Sequence, residues 1–504
     1  MTSKRLLLIT AIILSSLSVN AWKPWPLPMD SADTALDTLS YHGSWYGVAS
    51  SGKYAPFWFS AGKDGAISFS PYSTGLRGGI SKPATRPARW WDYSYGIDLA
   101  GGLCSSRMLP QAGCIVRDTP IYFGHIVELY AHARLWCFDF TVGWKPLDVG
   151  NQDNELSAGS LLFSHNAPTF PRISIGIDRY TPFPFTYGYL EVKANLTHGW
   201  MIDNIGVQHT MLHYKYIGVR LGGRLPVNIS YEFHHAAQWG GTSDRYGDLG
   251  NGIRQWANIF RAGAGGVMAN DQINAEGNHL GSQMLGIDVK WSGWKISAYW
   301  QNIFEDGPIL PMWKTMNIHD GLWGLSIRQN KWPFVSAILY EFLNTTDQSG
   351  TAHDIDGMVF GGCDDYYRNS IYTQGWNHYR MTIGNPFITS PIYNTSLDDG
   401  TDNNRTFTHH IAICGDIYGF EYTARYNHSR NYGRYVRTDN TINNSILLEV
   451  EKRIPEAWNL TFGIAFGADI GNQFNKPYEP YRTKNCFGAM ITIAKRGIIW
   501  KSKK

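Results

Sequence analysis

Charge is scarce in this sequence. Lys, Arg, Asp and Glu make up 17% of its 504 residues, against about 25% in an average soluble domain. A disordered chain, rich in charge and poor in aromatics, is therefore excluded. The net charge of 44 − 41 = +3 is too small to argue for a nucleic-acid partner. Ala, Glu, Lys, Leu and Arg do not dominate, so a coiled coil is excluded as well. Long apolar runs are also lacking. Leu6 to Leu14 breaks into serines after nine residues, where a spanning helix needs about 20. With Lys4 and Arg5 before it and Val19-Asn20-Ala21 behind, residues 1–21 read as a secretory signal peptide cleaved after Ala21. The mean hydropathy of −0.27 argues against a helical membrane protein.

Cysteine is sparse too. The six are Cys104, Cys114, Cys137, Cys363, Cys414 and Cys486, with no Cys-x-x-Cys among them, which leaves zinc and thiol-redox readings weak. Cys104 and Cys114 are close enough for a local loop disulfide in an oxidising compartment. The competing reading, small buried apolar residues, fits Cys137 and Cys414 within strand-like runs.

What the chain does have is 53 glycines, 20 tryptophans and a recurring period of two. In Leu460–Ala468, Leu460, Phe462, Ile464, Phe466 and Ala468 share one face, and Thr461, Gly463, Ala465 and Gly467 the other. Val227–His234, Leu190–Leu196, Ile173–Asp178 and Phe487–Ile493 alternate in the same way, as half-apolar strands do. Ile287–Trp291 and Trp294–Trp300 flank a two-residue Ser292-Gly293 link, a tight hairpin with a tryptophan on each side. A soluble sandwich or propeller would turn the apolar face into a core. An outer-membrane barrel would turn it into lipid and keep the polar face in the lumen.

Three features favour the barrel. The strands run about ten residues, as a tilted membrane-spanning strand requires. Aromatics gather at strand ends, as at Trp90-Trp91, Trp291, Trp294 and Trp300. Connections alternate between long (236–282, 304–320, 344–375) and short (292–293, 330–332), the habit of outer loops and inner turns. The expected fold is all-β: a transmembrane antiparallel β-barrel of roughly eighteen strands over residues 61–504. The alternation breaks near 385–405, where either a strand around Ile355–Phe360 has been missed or an insertion sits. Residues 22–60 are Pro- and Trp-rich, with helical character expected only over Asp30–Ser40. They read as a periplasmic or plug segment, or else a plain extended lead-in.

Catalytic signals are poor. Gly47–Tyr54 nearly matches a phosphate loop, but Tyr54 stands where a Ser or Thr must bind magnesium. No Gly-x-Ser-x-Gly, His-Glu-x-x-His or calcium-loop spacing occurs. His234-His235 and His409-His410 are adjacent, so in strands their rings point to opposite faces and one metal does not take both. Asp364-Asp365 and Asp398-Asp399 read as solvated loop acids rather than a glycosidase pair. No enzyme activity, cofactor or metal is expected. The long loops instead mix aromatic, amide and charged side chains: Gln238, Trp239, Asp244, Arg245 and Tyr246 in one, Tyr366, Tyr367 and Arg368 in another. Aromatic stacking on sugar C–H faces with planar polar hydrogen bonds is the chemistry that holds a glycan.

Ser50–Trp58, His235–Gly241 and Gly375–Pro386, taken in order, resemble motifs of the Wzi-type capsule assembly family. That resemblance implies an outer-membrane barrel of about eighteen strands with an N-terminal helical element. It also implies a non-catalytic, lectin-like role in binding capsular polysaccharide and assisting its assembly or attachment at the surface of a Gram-negative bacterium. Trp376, Tyr379 and Arg380 fall within the matched positions and join the candidate glycan contacts, beside Gly375 and Gly384. Expected partners are a surface polysaccharide, outer-membrane lipids and the barrel assembly machinery, with the protein a monomer. This chain departs from the family in having room for little N-terminal helix, and from common barrel endings in placing a basic tail after Trp500. A porin-like channel for sugars or small solutes is the alternative, and an outer-membrane hydrolase the weakest reading.

Overall fold

Alternation of apolar and polar side chains requires a sheet with two different surroundings, and closing that sheet removes its edges. The computed structural model describes residues 37–84, 90–105, 121–263, 276–305, 319–348, 353–355, 358–360, 364–394, 400–472, 474 and 485–502. Eighteen antiparallel strands form the barrel: β1 Thr38–Ser50, β2 Tyr72–Lys82, β3 Trp91–Cys104, β4 Ile121–Leu135, β5 Phe138–Trp144, β6 Pro171–Pro182, β7 Leu190–Trp200, β8 Met211–Leu221 and β9 Val227–Trp239. The second half comprises β10 Asn278–Trp291, β11 Trp294–Phe304, β12 Gly321–Gln329, β13 Ala337–Asn344, β14 Thr406–Ile417, β15 Phe420–Gly433, β16 Thr438–Ile454, β17 Leu460–Gly471 and β18 Asn485–Lys501. Each pairs with its neighbours in sequence, and β1 pairs with β18 to close the ring. It is an outer-membrane type of barrel.

The two faces separate as the sequence pattern requires. On β17, Phe462, Ile464 and Phe466 are 38–54% exposed, while Thr461 and Ala465 turn inward and are buried. The Ser292-Gly293 turn takes positive φ at both residues (46° and 85°), matching the right-handed twist of its strands. One rim carries only short turns and a ring of exposed aromatics, among them Trp136, Tyr187, Trp291, Tyr418 and Trp458. This is the periplasmic side by the rule of short inner turns, and both described chain ends lie on it. The opposite rim carries all the long connections. The break near 385–405 is resolved there, because residues 345–405 form one long loop in phase with the others. The run around Ile355–Phe360 belongs to a small hairpin inside that loop, not to the barrel.

The N-terminal reading needs correction. Within the segment 22–60, Thr38–Ser50 is a full barrel strand, with Ser44, Tyr46, Val48 and Ser50 facing inward. Its lipid face is diluted by Gly43, Gly47 and Ala49, so the alternation that marks the other strands is weak here. Thr38–Ser40 is extended rather than helical; the rest of the expected helix, the signal peptide and Cys114 lie outside the described residues. The first described helix is α1, Phe57–Ser60, inside the barrel.

Candidate functional site

Half of each strand points inward, so an eighteen-strand barrel has a lumen wide enough for a channel unless something fills it. Here three connections from the long-loop rim fold inward: residues 51–71, 145–170, and 364–394 with 400–404. Their buried Trp58, Phe59, Leu161, Phe163, Trp376 and Phe387 join the wall residues Leu212, Met284 and Tyr299 in one apolar core. The first segment lies tight against the wall. A Cβ on Gly467 would come within 2.7 Å of both Phe59 and Pro56, so only glycine allows that approach.

Hydrogen bonds fix the segments to the wall and to each other. Fully buried Glu341 on β13 accepts from Ser157 Oγ at 2.6 Å, the Ala158 amide at 3.1 Å and Tyr299 OH at 2.6 Å. His410 Nδ1 lies 3.0 Å from the same carboxylate, and the indole of Trp58 stacks on the His410 ring at 5.0 Å. Trp376 Nε1 donates to the Leu162 carbonyl at 2.7 Å, and Asn385 Nδ2 to that of Gly159 at 2.6 Å. His165 joins two of the segments, with Nδ1 3.0 Å from Asp64 and Nε2 3.1 Å from Asp148. Burial opposes charge on this ring, but the two carboxylates outweigh it and hold the imidazole well above its ordinary pKa.

The predicted glycan residues divide into two groups. Gln238, Trp239, Tyr366, Tyr367 and Trp376 are buried, so as placed they are packing residues rather than stacking platforms. Gln238 accepts from Asn278 Nδ2 at 2.7 Å and donates to the Gly375 carbonyl at 2.9 Å. Tyr367 OH donates to the Leu161 carbonyl. Arg368 Nη1 donates to the Thr401 carbonyl at 2.9 Å, and its Nε pairs with Asp365 at 3.6 Å, anchoring the third segment at the rim. An aromatic residue in a long loop reads alike from sequence whether that loop stands out from the rim or folds into the lumen. His234 and His410 face the lumen and their neighbours His235 and His409 the outer wall, as adjacent strand residues must.

The second group comes together at the mouth. Val207–Gln208, Thr242–Ser243 and Gly247–Asp248 form a three-stranded minisheet. Its Val207, with Leu249 beside it, packs on Ile371 and Tyr372, and Tyr246 lies against that cluster. The turn between the second and third strands exposes Asp244 and Arg245, with the guanidinium 5.0 Å from the centre of the Tyr246 ring. Across loop 201–210, Tyr379 and Arg380 form the half-exposed tip of a hairpin, with φ of 52° and 57°. Positive φ at two non-glycine residues costs about 1 kcal/mol or more each, and the Tyr379 amide is held by Asp203 Oδ2 at 2.7 Å. Asp203, Gln208 and His209 complete this face. Sequence reading passed over them because loop 201–210 carries no motif; in the structure Asn204, Gly206 and His209 take positive φ there.

No protein-family model matches the chain, and no curated protein does. Solved structures do. In fold the chain is similar to Wzi of Escherichia coli. That protein is described as an outer-membrane protein involved in group 1 capsule assembly and a carbohydrate-binding β-barrel; the match covers 90% of this chain and 84% of Wzi, with TM-score 0.53 and 12% identity. OccAB2 of Acinetobacter baumannii (TM-score 0.46, 10% identity, 93% and 98% covered) and OprD of Pseudomonas aeruginosa (0.43, 9%, 93% and 98%) also match. At such identities the shared property is the outer-membrane barrel.

Chemically, the mouth offers planar cations, carboxylates, amides and tyrosine faces. Among the described residues, no group of three His, Cys, Asp or Glu is placed to hold a metal ion. One small cavity, lined by Asp64, Lys145, Phe163, Pro168, Phe170 and Ile383 among others, lies where the three inward segments meet.

Proposed function

We propose that this protein is a non-catalytic outer-membrane polysaccharide-binding protein that assists capsule assembly or attachment at the cell surface. The observation that carries this reading is the filled lumen. With three loops packed inside, a polar surface open to a large external ligand among the described residues is the cap of Asp203, Asp244, Arg245, Tyr246, Tyr379 and Arg380. Its mixture of tyrosine faces and planar hydrogen-bonding groups suits sugars, and a rigid plug beneath it holds those groups in place before the ligand arrives. The likeness in fold to the carbohydrate-binding Wzi is in keeping with this. A glycan array probed with detergent-purified protein, alongside a deletion strain scored for shed polysaccharide, tests it. Absence of glycan binding together with unchanged capsule retention overturns it.

A second reading, a channel for sugars or small solutes, draws on the barrel wall. Inward-facing ion pairs line it, including Arg77–Asp98 at 2.6 Å, Arg220–Glu191 at 2.6 Å and Lys193–Glu232 at 2.7 Å. Such a wall suits polar solutes once the plug is displaced. Large, stable single-channel conductance of the native protein in planar bilayers would favour this reading over the first.

A further inference from the structure

Outward residues of β8, β9 and β10 follow the lipid-facing pattern up to a point and then depart from it. On β9, Val227 and Ile229 are each 46% exposed, as a lipid face requires, whereas His235, Ala237 and Trp239 on the same face are at most 3% exposed. The cover is α2, Ile253–Arg261, whose Ile259 packs on Ala237 and Trp239. Trp256 and Phe260 of the helix lie 6.1 and 5.6 Å from the outward ring of His213. This nine-residue helix therefore lies on the outer wall of the barrel, beyond Tyr231 and Phe233 toward the long-loop rim. There the hydrocarbon of the outer leaflet gives way to headgroups.

The exposed surface of the helix is built for that boundary. Ile253 is 80% exposed and Phe260 37%, an apolar surface that water disfavours and acyl chains accept. Arg254 and Arg261 are exposed beside them, and the helix contains no acid. Lys215 on β8 lies outside the barrel; its ammonium donates to the Phe260 carbonyl at the C-terminal turn of the helix and sits 3.9 Å from the centre of the Phe260 ring. Among the described residues, the Glu276 carboxylate beside the helix is buried and accepts from Asn258 Nδ2 at 2.9 Å. Three cations above an apolar strip, in continuity with a lipid-facing wall, match the charge and depth of one class of ligand.

We infer that α2 with Lys215 is a docking surface for a phosphorylated lipid of the outer leaflet. Acyl chains would run along Ile253, Phe260 and the β9 wall, and the headgroup phosphates would meet Arg254, Arg261 and Lys215. Amphipathic helices of this kind bind through apolar area and charge together. The surface lies outside the barrel, so the inference does not depend on what the mouth binds.

Nanodiscs of phosphatidylcholine carrying a minority of bis-phosphorylated lipid A provide the test. Native mass spectrometry reads lipid retained by the native barrel and by the R254Q/R261Q variant, whose changed side chains are exposed. Each cation beside an anionic surface contributes about fivefold to binding, so the double variant is expected to retain lipid A about 25-fold less. Phosphatidylcholine retention should stay unchanged, and added inorganic phosphate should not compete, because the acyl chains are part of the fit. Phe260→Ser should weaken retention of lipid A as well. Equal retention by native and double-variant protein overturns the assignment, as does equal retention of the two lipids, or loss with Phe260→Ser alone. Heat-modifiable migration in gels confirms that each variant is folded.

Discussion

Truncating Trp376 separates a plug residue from a sugar platform. The side chain is fully buried, its indole N–H donates to the Leu162 carbonyl at 2.7 Å, and its ring meets Phe163 edge-on at 5.6 Å. Trp376→Ala removes a large buried ring at about 3–5 kcal/mol and leaves the Leu162 carbonyl without its partner, about 1 kcal/mol more. None of these contacts belongs to a strand pair, so the loss falls on the inward loops and the eighteen-strand ring stays closed. At about 1.4 kcal/mol per tenfold, a loss of about 4–6 kcal/mol raises the population of displaced plug roughly a thousandfold to ten-thousandfold. Single-channel recording in planar bilayers should show openings in the variant that are rare in the native protein. Protease added on the long-loop side should cut within 364–404 at a rate raised to match. Trp376→Phe, which keeps most of the volume, should remain closed. Were the alanine variant folded, as quiet as the native protein and yet unable to bind glycan, the plug assignment would be refuted and Trp376 would be a ligand contact.

The other expectations follow from the same geometry. Arg245→Ala, Tyr246→Ala and Tyr379→Ala should each weaken glycan binding about tenfold, a loss of about 1–2 kcal/mol, with heat-modifiability and conductance unchanged; binding unaffected by all three would sink the proposed cap. His165 has its folded pKa raised above about 6.5. Its contribution is therefore present at and below that pH and is lost as pH rises through the folded value. Exchange protection in 51–71 and 145–170, taken relative to the intrinsic base-catalysed rate at each pH, should accordingly fall as pH rises through the raised folded value, and His165→Asn should remove that fall. Gly467→Ala pushes a methyl into Phe59 and Pro56 and should destabilise the plug by about 1–3 kcal/mol, read as faster proteolysis of residues 51–71. Ile464→Arg places a cation on the lipid face of β17 and should cost about 2–4 kcal/mol in vesicle-based folding titrations if it sits near the midplane; a negligible loss would mean that this face does not meet lipid.

Period two established strands with unlike faces, which need unlike surroundings; strand length, aromatics at strand ends and alternating loop lengths then distinguished a barrel from a sandwich and one rim from the other. Leu460–Ala468 and the Ser292-Gly293 hairpin were legible residue by residue. Where the outward face is small, as at Gly43, Gly47 and Ala49, the pattern thins, and β1 falls within a stretch that reads as a periplasmic or plug segment or an extended lead-in. The loops are a different matter. Tyr366, Tyr367 and Trp376 look the same in sequence as Tyr246 and Tyr379, since aromatics surrounded by Gly, Asn and Asp suit a packed plug and a sugar-binding surface equally. What separates them is contact between segments far apart in the chain: Trp376 with Leu162, Asn385 with Gly159, Phe59 against Gly467. Which side chains are sealed inside and which face a ligand depends on loop closure into the lumen, and only the tertiary structure decides that.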